Sequence, residues 1–139
     1  MSRLRVVLDS NVFISGFLFG GPPAELLKLA QGGSLQVFTS MAILDEVRDV
    51  LCRPKFGLQT SQVLLLMGEI HQFCEIVTPS VKVKEIVEDP DDDVILACAL
   101  TARADMIVSG DNHLLKLGRW KGMDILSPAD AVQRMEQAP

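Results

Sequence analysis

The 139-residue sequence predicts a three-layer α/β/α sandwich around a central parallel sheet of about five strands. Three observations carry this expectation. Short apolar runs rich in Val, Ile and Leu recur along the chain, segments with helical spacing lie between them, and Gly, Pro and Ser punctuate the joins. The order of these segments makes successive βαβ units, whose right-handed crossovers place helices over both faces of a parallel sheet.

The first run, "RLRVVLD" from Arg3 to Asp9, is nearly continuous in apolar residues, as in a strand covered on both faces. The apolar stretch "VFISGFLF", Val12 to Phe19, follows and reads as core or as a contact surface, and "GGPP" at Gly20 to Pro23 closes it with a turn. Pro23 suits the first turn of a helix running to Gln31, and "QGG" ends that helix. "LQVFTS" is the second strand, and Ser40 caps a helix to Cys52. After the turn "RPKFG", a helix over Ser61 to Phe73 leads into the strand "CEIVTP". A helix over Asp91 to Arg103 precedes "DMIVSGD", and "MDILSP" is the last strand. "SPAD", Ser127 to Asp130, combines a cap, a first-turn proline and a returning carboxylate for a final helix to Glu136. Without a linker or repeat, residues 1–139 read as one domain.

Composition narrows the class. Hydrophobic residues make up 48% and charged residues 22%, which suits a folded core and excludes a disordered chain. Cys52, Cys74 and Cys98 are odd in number, lack ligand spacing and sit in apolar runs, so they read as core thiols of a reducing compartment. The amino terminus lacks the apolar run of a signal peptide and no stretch has the length of a membrane span, which predicts a soluble cytoplasmic protein. A net charge of −5 gives no sign of global attraction to nucleic acid or membrane. A polyanionic substrate would therefore need local help.

That help is offered by acids at strand ends and helix starts. Parallel sheets bind ligands beyond the carboxyl ends of their strands, and Asp9 ends the first strand while Asp111 follows the fourth. Either could simply cap the next helix. The run Glu88 to Asp93 marks a helix amino terminus, where capping and the macrodipole reward one or two carboxylates at about 0.3–1 kcal/mol each. Asp91, Asp92 and Asp93 together exceed that need. On the helix from Ser40, the residues Ile43, Leu44, Val47, Val50 and Leu51 form one apolar stripe. Asp45 and Asp49 fall opposite the stripe and Glu46 at its margin, leaning toward the sheet or merely flanking it.

Two carboxylates about 4–5 Å apart repel by roughly 3–4 kcal/mol at an effective dielectric of about 20, so a cluster of four must protonate or bind cations. All-oxygen ligands point to a hard ion, Mg²⁺ or Mn²⁺, which commonly meets substrate phosphates. Phosphoryl chemistry with water as nucleophile is the natural use. Two such ions would offset most of the −5. Arg48, Arg53, Lys55, Lys116, Arg119 and Lys121 are then available to a phosphate backbone, or are ordinary solvated charges. His71 reads as a helix-face residue and His113 as a rim group, neither with a spacing partner for zinc.

The motifs "VVLDSNVFISG", "TSMAILDEVRDVLCRPKF", "EDPDDDVILACALTARADMIVSGDNHLL" and "ILSPADAV" resemble, in order and spacing over nearly the whole chain, the PIN-domain ribonucleases, especially bacterial toxins of toxin–antitoxin pairs. The resemblance implies a metal-dependent endoribonuclease using Mg²⁺ or Mn²⁺, often homodimeric and often silenced by an antitoxin. It puts the acidic ligands on Asp9, Glu46, Asp93 and Asp111, with Asp92 sharing the role of Asp93, and auxiliary polar roles on Asn11 and Ser109. Asp91 is left as a cap.

Rival readings differ in named residues. Haloacid-dehalogenase-like phosphatases need a second Asp where this chain has Asn11, which removes the general acid. A receiver domain needs a phosphorylatable Asp after the third strand, and "CEIVTP" has none. A PIN-like module that binds RNA or a partner without cutting is the remaining alternative, and it would be expected to lack some of the acids that this chain retains.

Overall fold

The computed structural model of the chain describes residues 3–80 and 90–137, and, within the helix that begins at Pro90, the side chains from residue 93 onward. Glu88 and Asp89 lie outside the described residues, and the side chains of Asp91 and Asp92 are likewise outside them.

The strands are β1 (Leu4–Leu8), β2 (Leu35–Thr39), β3 (Cys74–Ile76), β4 (Met106–Val108), β5 (Arg119–Trp120) and β6 (Met123–Leu126). They form a six-stranded sheet in the order β3-β2-β1-β4-β6-β5. Every pairing is parallel except β5 with β6, a hairpin that adds one antiparallel strand to the about five expected. Lys121 and Gly122 join the hairpin with φ of 49° and 83°, the left-handed pair that a tight hairpin turn requires.

The helices are α1 (Ser10–Leu18), α2 (Pro22–Gln31), α3 (Met41–Leu51), α4 (Thr60–Phe73), α5 (Pro90–Ala102), α6 (Asn112–Leu117) and α7 (Pro128–Gln137), with a 3-10 turn at Pro54–Phe56. The chain steps outward from β1 to β2 to β3 and then returns across β1 to β4. Right-handed crossovers therefore put α1 to α4 on one face and α5 on the other. In keeping with this, α1 packs on α2 and α3, α7 packs on α2, and α5 packs against β1 and β2. The result is an α/β/α sandwich.

Local signals explain most element starts. Ser40 accepts the Ile43 N–H at 3.4 Å to cap α3, Ser127 accepts the Asp130 N–H at 3.2 Å ahead of α7, and prolines open α2. The α3 stripe is buried at Ile43, Leu44, Val47 and Leu51, while Val50 is only partly covered. Two expectations change. "VFISGFLF" is mostly the helix α1, with Val12, Phe13 and Ile14 in the core and Phe19 at the far end 71% exposed. Cys98 is a core thiol and Cys74 is partly covered, but Cys52, which follows the last turn of α3 beyond the stripe, is exposed.

Candidate functional site

Among the described residues the buried polar or charged ones are Asp9, Ser10, Thr39, Ser40 and Ser109. All five lie at the carboxyl ends of three neighbouring strands: Asp9 and Ser10 beyond β1, Thr39 and Ser40 at the end of β2, and Ser109 beyond β4. Buried polarity is costly, so its concentration at one edge marks that edge as special. It is also where the connectivity reverses, because β1 leads to β2 on one side while β4 lies on the other. Open α/β sheets bind ligands in the crevice at such a switch point.

Backbone pairing carries the sheet into the site. The Asp9 N–H donates to the Val108 carbonyl at 2.9 Å, and the Ser109 N–H donates to the Leu126 carbonyl at 3.0 Å. These ladder bonds set Asp9 and Ser109 side by side. The Ser109 hydroxyl then donates to Asp9 Oδ2 at 2.6 Å and accepts the Asp111 N–H at 2.9 Å. Ser10 donates from its hydroxyl to Asp9 Oδ1 at 3.3 Å.

Asp9 and Asp111 use their helix-start positions differently. Asp111 caps α6, accepting the His113 N–H at 2.7 Å, with His113 Nδ1 3.6 Å from the same oxygen. Asp9 occupies the cap position of α1, yet its carboxylate caps nothing there and turns to the two serine hydroxyls. Capping thus accounts for Asp111 and leaves Asp9 without a structural reason.

The electrostatics of Asp9 are uncomfortable. It is 6% exposed, and burial raises its carboxyl above the ordinary carboxylate range; bonds from Ser109 and Ser10 oppose the rise, and the Asp111 charge adds to it. Among the described residues no lysine, arginine or histidine pairs with it. A buried carboxylate in that position is relieved by a proton or by a cation. The side chains that act on it, Ser10, Ser109 and Asp111, offer oxygen, and Mg²⁺ is commonly held by only one or two carboxylates with waters and substrate phosphates completing its shell. The Asp9 and Asp111 pair fits such an ion.

Two other expected acids are half-buried rather than buried. Glu46 is half-buried in the second turn of α3, with Asp45 and Asp49 exposed on the opposite side as the stripe predicts. Asp93 is half-buried in the first turns of α5. Because α5 ends just before β4 and runs antiparallel to it, Asp93 lies toward the carboxyl ends of the strands. Asn11 is exposed in the first turn of α1. The structure brings together Asp9, Ser109 and Asp111; among the described residues it gathers no group of three or more Asp, Glu, His or Cys placed to hold a metal. The side chain of Asp92 falls outside the described residues. Ser10 is the site residue that sequence reasoning passed over, and its signal was a hydroxyl directly after a strand-ending Asp.

Two of the cations considered for a phosphate backbone are engaged locally. Arg48 pairs with Asp45 at 3.2 Å and Arg119 with Asp124 at 3.2 Å. Lys55 and Lys121 lie over the rings of Phe56 and Trp120. His71 is exposed on α4. No helix among the described residues is long and apolar enough to cross a membrane.

Comparison with known proteins places the chain in a family. The family model described as "PIN domain" matches residues 5–113, a span that begins in β1 and ends just past Asp111. An uncharacterized protein of Methanocaldococcus jannaschii is 27% identical over 119 residues, covering 83% of this chain and 76% of that protein. A chain in the crystal structure of VapBC2 from Rickettsia felis, bound to a DNA fragment from their promoter, superposes with a TM-score of 0.61. That match covers 89% of this chain and 98% of the other at 12% identity, a likeness of fold.

Proposed function

Because the chain belongs to the PIN domain family, we propose that it is a metal-dependent endoribonuclease hydrolysing RNA phosphodiester bonds, and the toxin component of a toxin–antitoxin pair. One observation carries the reading. Asp9 is a buried carboxylate that caps no helix, pairs with no cation among the described residues, and faces Asp111 across Ser109 at the switch point of the sheet. A fold gains no stability from such a group unless a cation joins it.

In this reading Asp9 and Asp111 hold Mg²⁺ or Mn²⁺, with Glu46 and Asp93 as further acidic ligands, Asp92 sharing the role of Asp93, and Asn11 assisting. When bound, the ion would polarise the phosphodiester and offset charge gathering on its oxygens. The residues do the rest. Ser109 keeps the Asp9 carboxylate oriented and favours its ionised form, while its bond from the Asp111 N–H keeps the second acid at a fixed place beside it. Backbone pairing to Val108 and Leu126 makes this arrangement rigid before substrate arrives, so little reorganisation remains for the reaction.

The toxin reading is supported by the family and by the likeness of fold to the VapBC2 chain. Phe19, 71% exposed at the end of α1, and Leu64 and Leu65 on α4, 62% and 71% exposed, are apolar surface suited to an antitoxin or a second copy in a homodimer. Activity is expected in the cytoplasm. The test is direct: purified protein should cleave a mixed RNA pool with Mg²⁺ or Mn²⁺, and its expression should slow growth until a co-purifying small protein is supplied. Expression without effect on growth, from a chain that purifies alone, would remove the toxin assignment while leaving the nuclease to be judged by cleavage.

A further inference from the structure

Ser10 is the first residue of α1 and is 2% exposed. A buried hydroxyl needs a partner, and this one donates to Asp9 Oδ1 at 3.3 Å. Ser109 holds the other oxygen, Oδ2, at 2.6 Å. A carboxylate anchored through one oxygen can swing about its Cβ–Cγ bond. Anchored through both, it has a fixed plane, and of its roughly four lone-pair positions some remain for a ligand.

From this geometry we propose that Ser10 is a positioning residue: together with Ser109 it fixes the plane of the Asp9 carboxylate, so that Asp9 meets a divalent ion in one orientation. The proposal rests on the reading of Asp9 as an ion ligand. Orientation matters because Mg²⁺ and ions of similar demand tolerate little departure from octahedral geometry, and hydrogen bonds that orient a ligand are typically worth 10–100-fold in metal affinity or activity. Ser10 would act through Asp9 without touching the ion.

The experiment is a Mn²⁺ titration of the full chain, followed by the loss of the free-ion paramagnetic resonance signal, with melting temperature recorded on the same samples. Wild type, Asp9→Asn and Ser10→Ala are compared, with Ser10→Cys, a weaker donor of similar shape, as the second variant should Ser10→Ala fail to fold. The expected result is that Ser10→Ala binds Mn²⁺ about 10-fold more weakly than wild type while folded, and that Asp9→Asn shows no binding at this site. Wild-type affinity in the serine variant, with binding lost in Asp9→Asn, overturns the positioning role and leaves the ligand reading standing. Absence of Mn²⁺ binding by wild type, or wild-type binding by Asp9→Asn, overturns both.

Discussion

Burying the Asp9 carboxylate costs the fold free energy that no cation among the described residues offsets. Its pKa is raised from 3.8, first by desolvation. Between 3.8 and that raised value the folded state retains a proton that the unfolded chain has released, so stability falls as pH rises through this window. Above it the buried charge costs its full amount, and acidification removes the cost. The expected outcome is that chelated wild type melts below Asp9→Asn at neutral pH, and that the gap closes as pH falls through the Asp9 pKa. Melts of both proteins across pH check this; a gap that stays constant or widens on acidification contradicts it. The pairing of Asp9 with Asp111 was legible in the sequence, since both end apolar strand runs. The roles of the two differ in a way no sequence pattern encodes: whether a strand-end Asp caps its helix or turns away depends on what the neighbouring strand supplies, here the hydroxyl of Ser109.

At the scale of elements, the strands were readable because a strand buried on both faces is apolar at nearly every position. Helix α1 was not readable as a helix for a related reason. Ser10–Leu18 has little polar face to set a helical period against, since part of it is core and its exposed end carries Phe19. The two-residue β5 and the six-residue α6 are too short for periodicity to register. The tie between α1 and α2 depends on a single missing side chain. A Cβ on Gly16 would stand 2.5 Å from Leu27 Cδ1, 2.9 Å from Leu27 Cγ and 3.0 Å from the Pro23 carbonyl oxygen. Leu27 is itself buried, so it has little room to give. Gly16→Ala should therefore destabilise the protein by about 1–3 kcal/mol, measured as a lowered denaturant midpoint at unchanged slope. A midpoint equal to wild type would mean that the α1 and α2 packing is looser than the structure has it.

For the molecule as a whole, the sheet order explains why charge concentrates where it does. The strand order reverses between β1 and β4, and the buried polar residues gather at the carboxyl ends of β2, β1 and β4, while the central strands β1 and β4 are otherwise packed among apolar side chains. With 13 basic and 18 acidic residues the chain carries −5, so under the proposed function divalent ions should both relieve the site and lower the repulsion felt by a polyanionic substrate. An ion that binds only the folded state at 100 times its Kd adds about 2.7 kcal/mol of stability. Mn²⁺ should accordingly raise the melting temperature of wild type and leave that of Asp9→Asn nearly unmoved. Equal shifts in the two would place the ion elsewhere.

RNA cleavage tests whether the carboxyl edge of the sheet is the proposed metal-dependent RNA-cleaving site built on Asp9. Wild type and Asp9→Asn, both confirmed folded, are incubated with a mixed RNA pool in Mg²⁺ or Mn²⁺, with and without chelator, and the fragments are separated. The expected result is discrete cleavage by wild type that chelator abolishes and that Asp9→Asn does not perform. Cleavage that persists in chelator and in Asp9→Asn, or no cleavage by wild type with either ion, would contradict it.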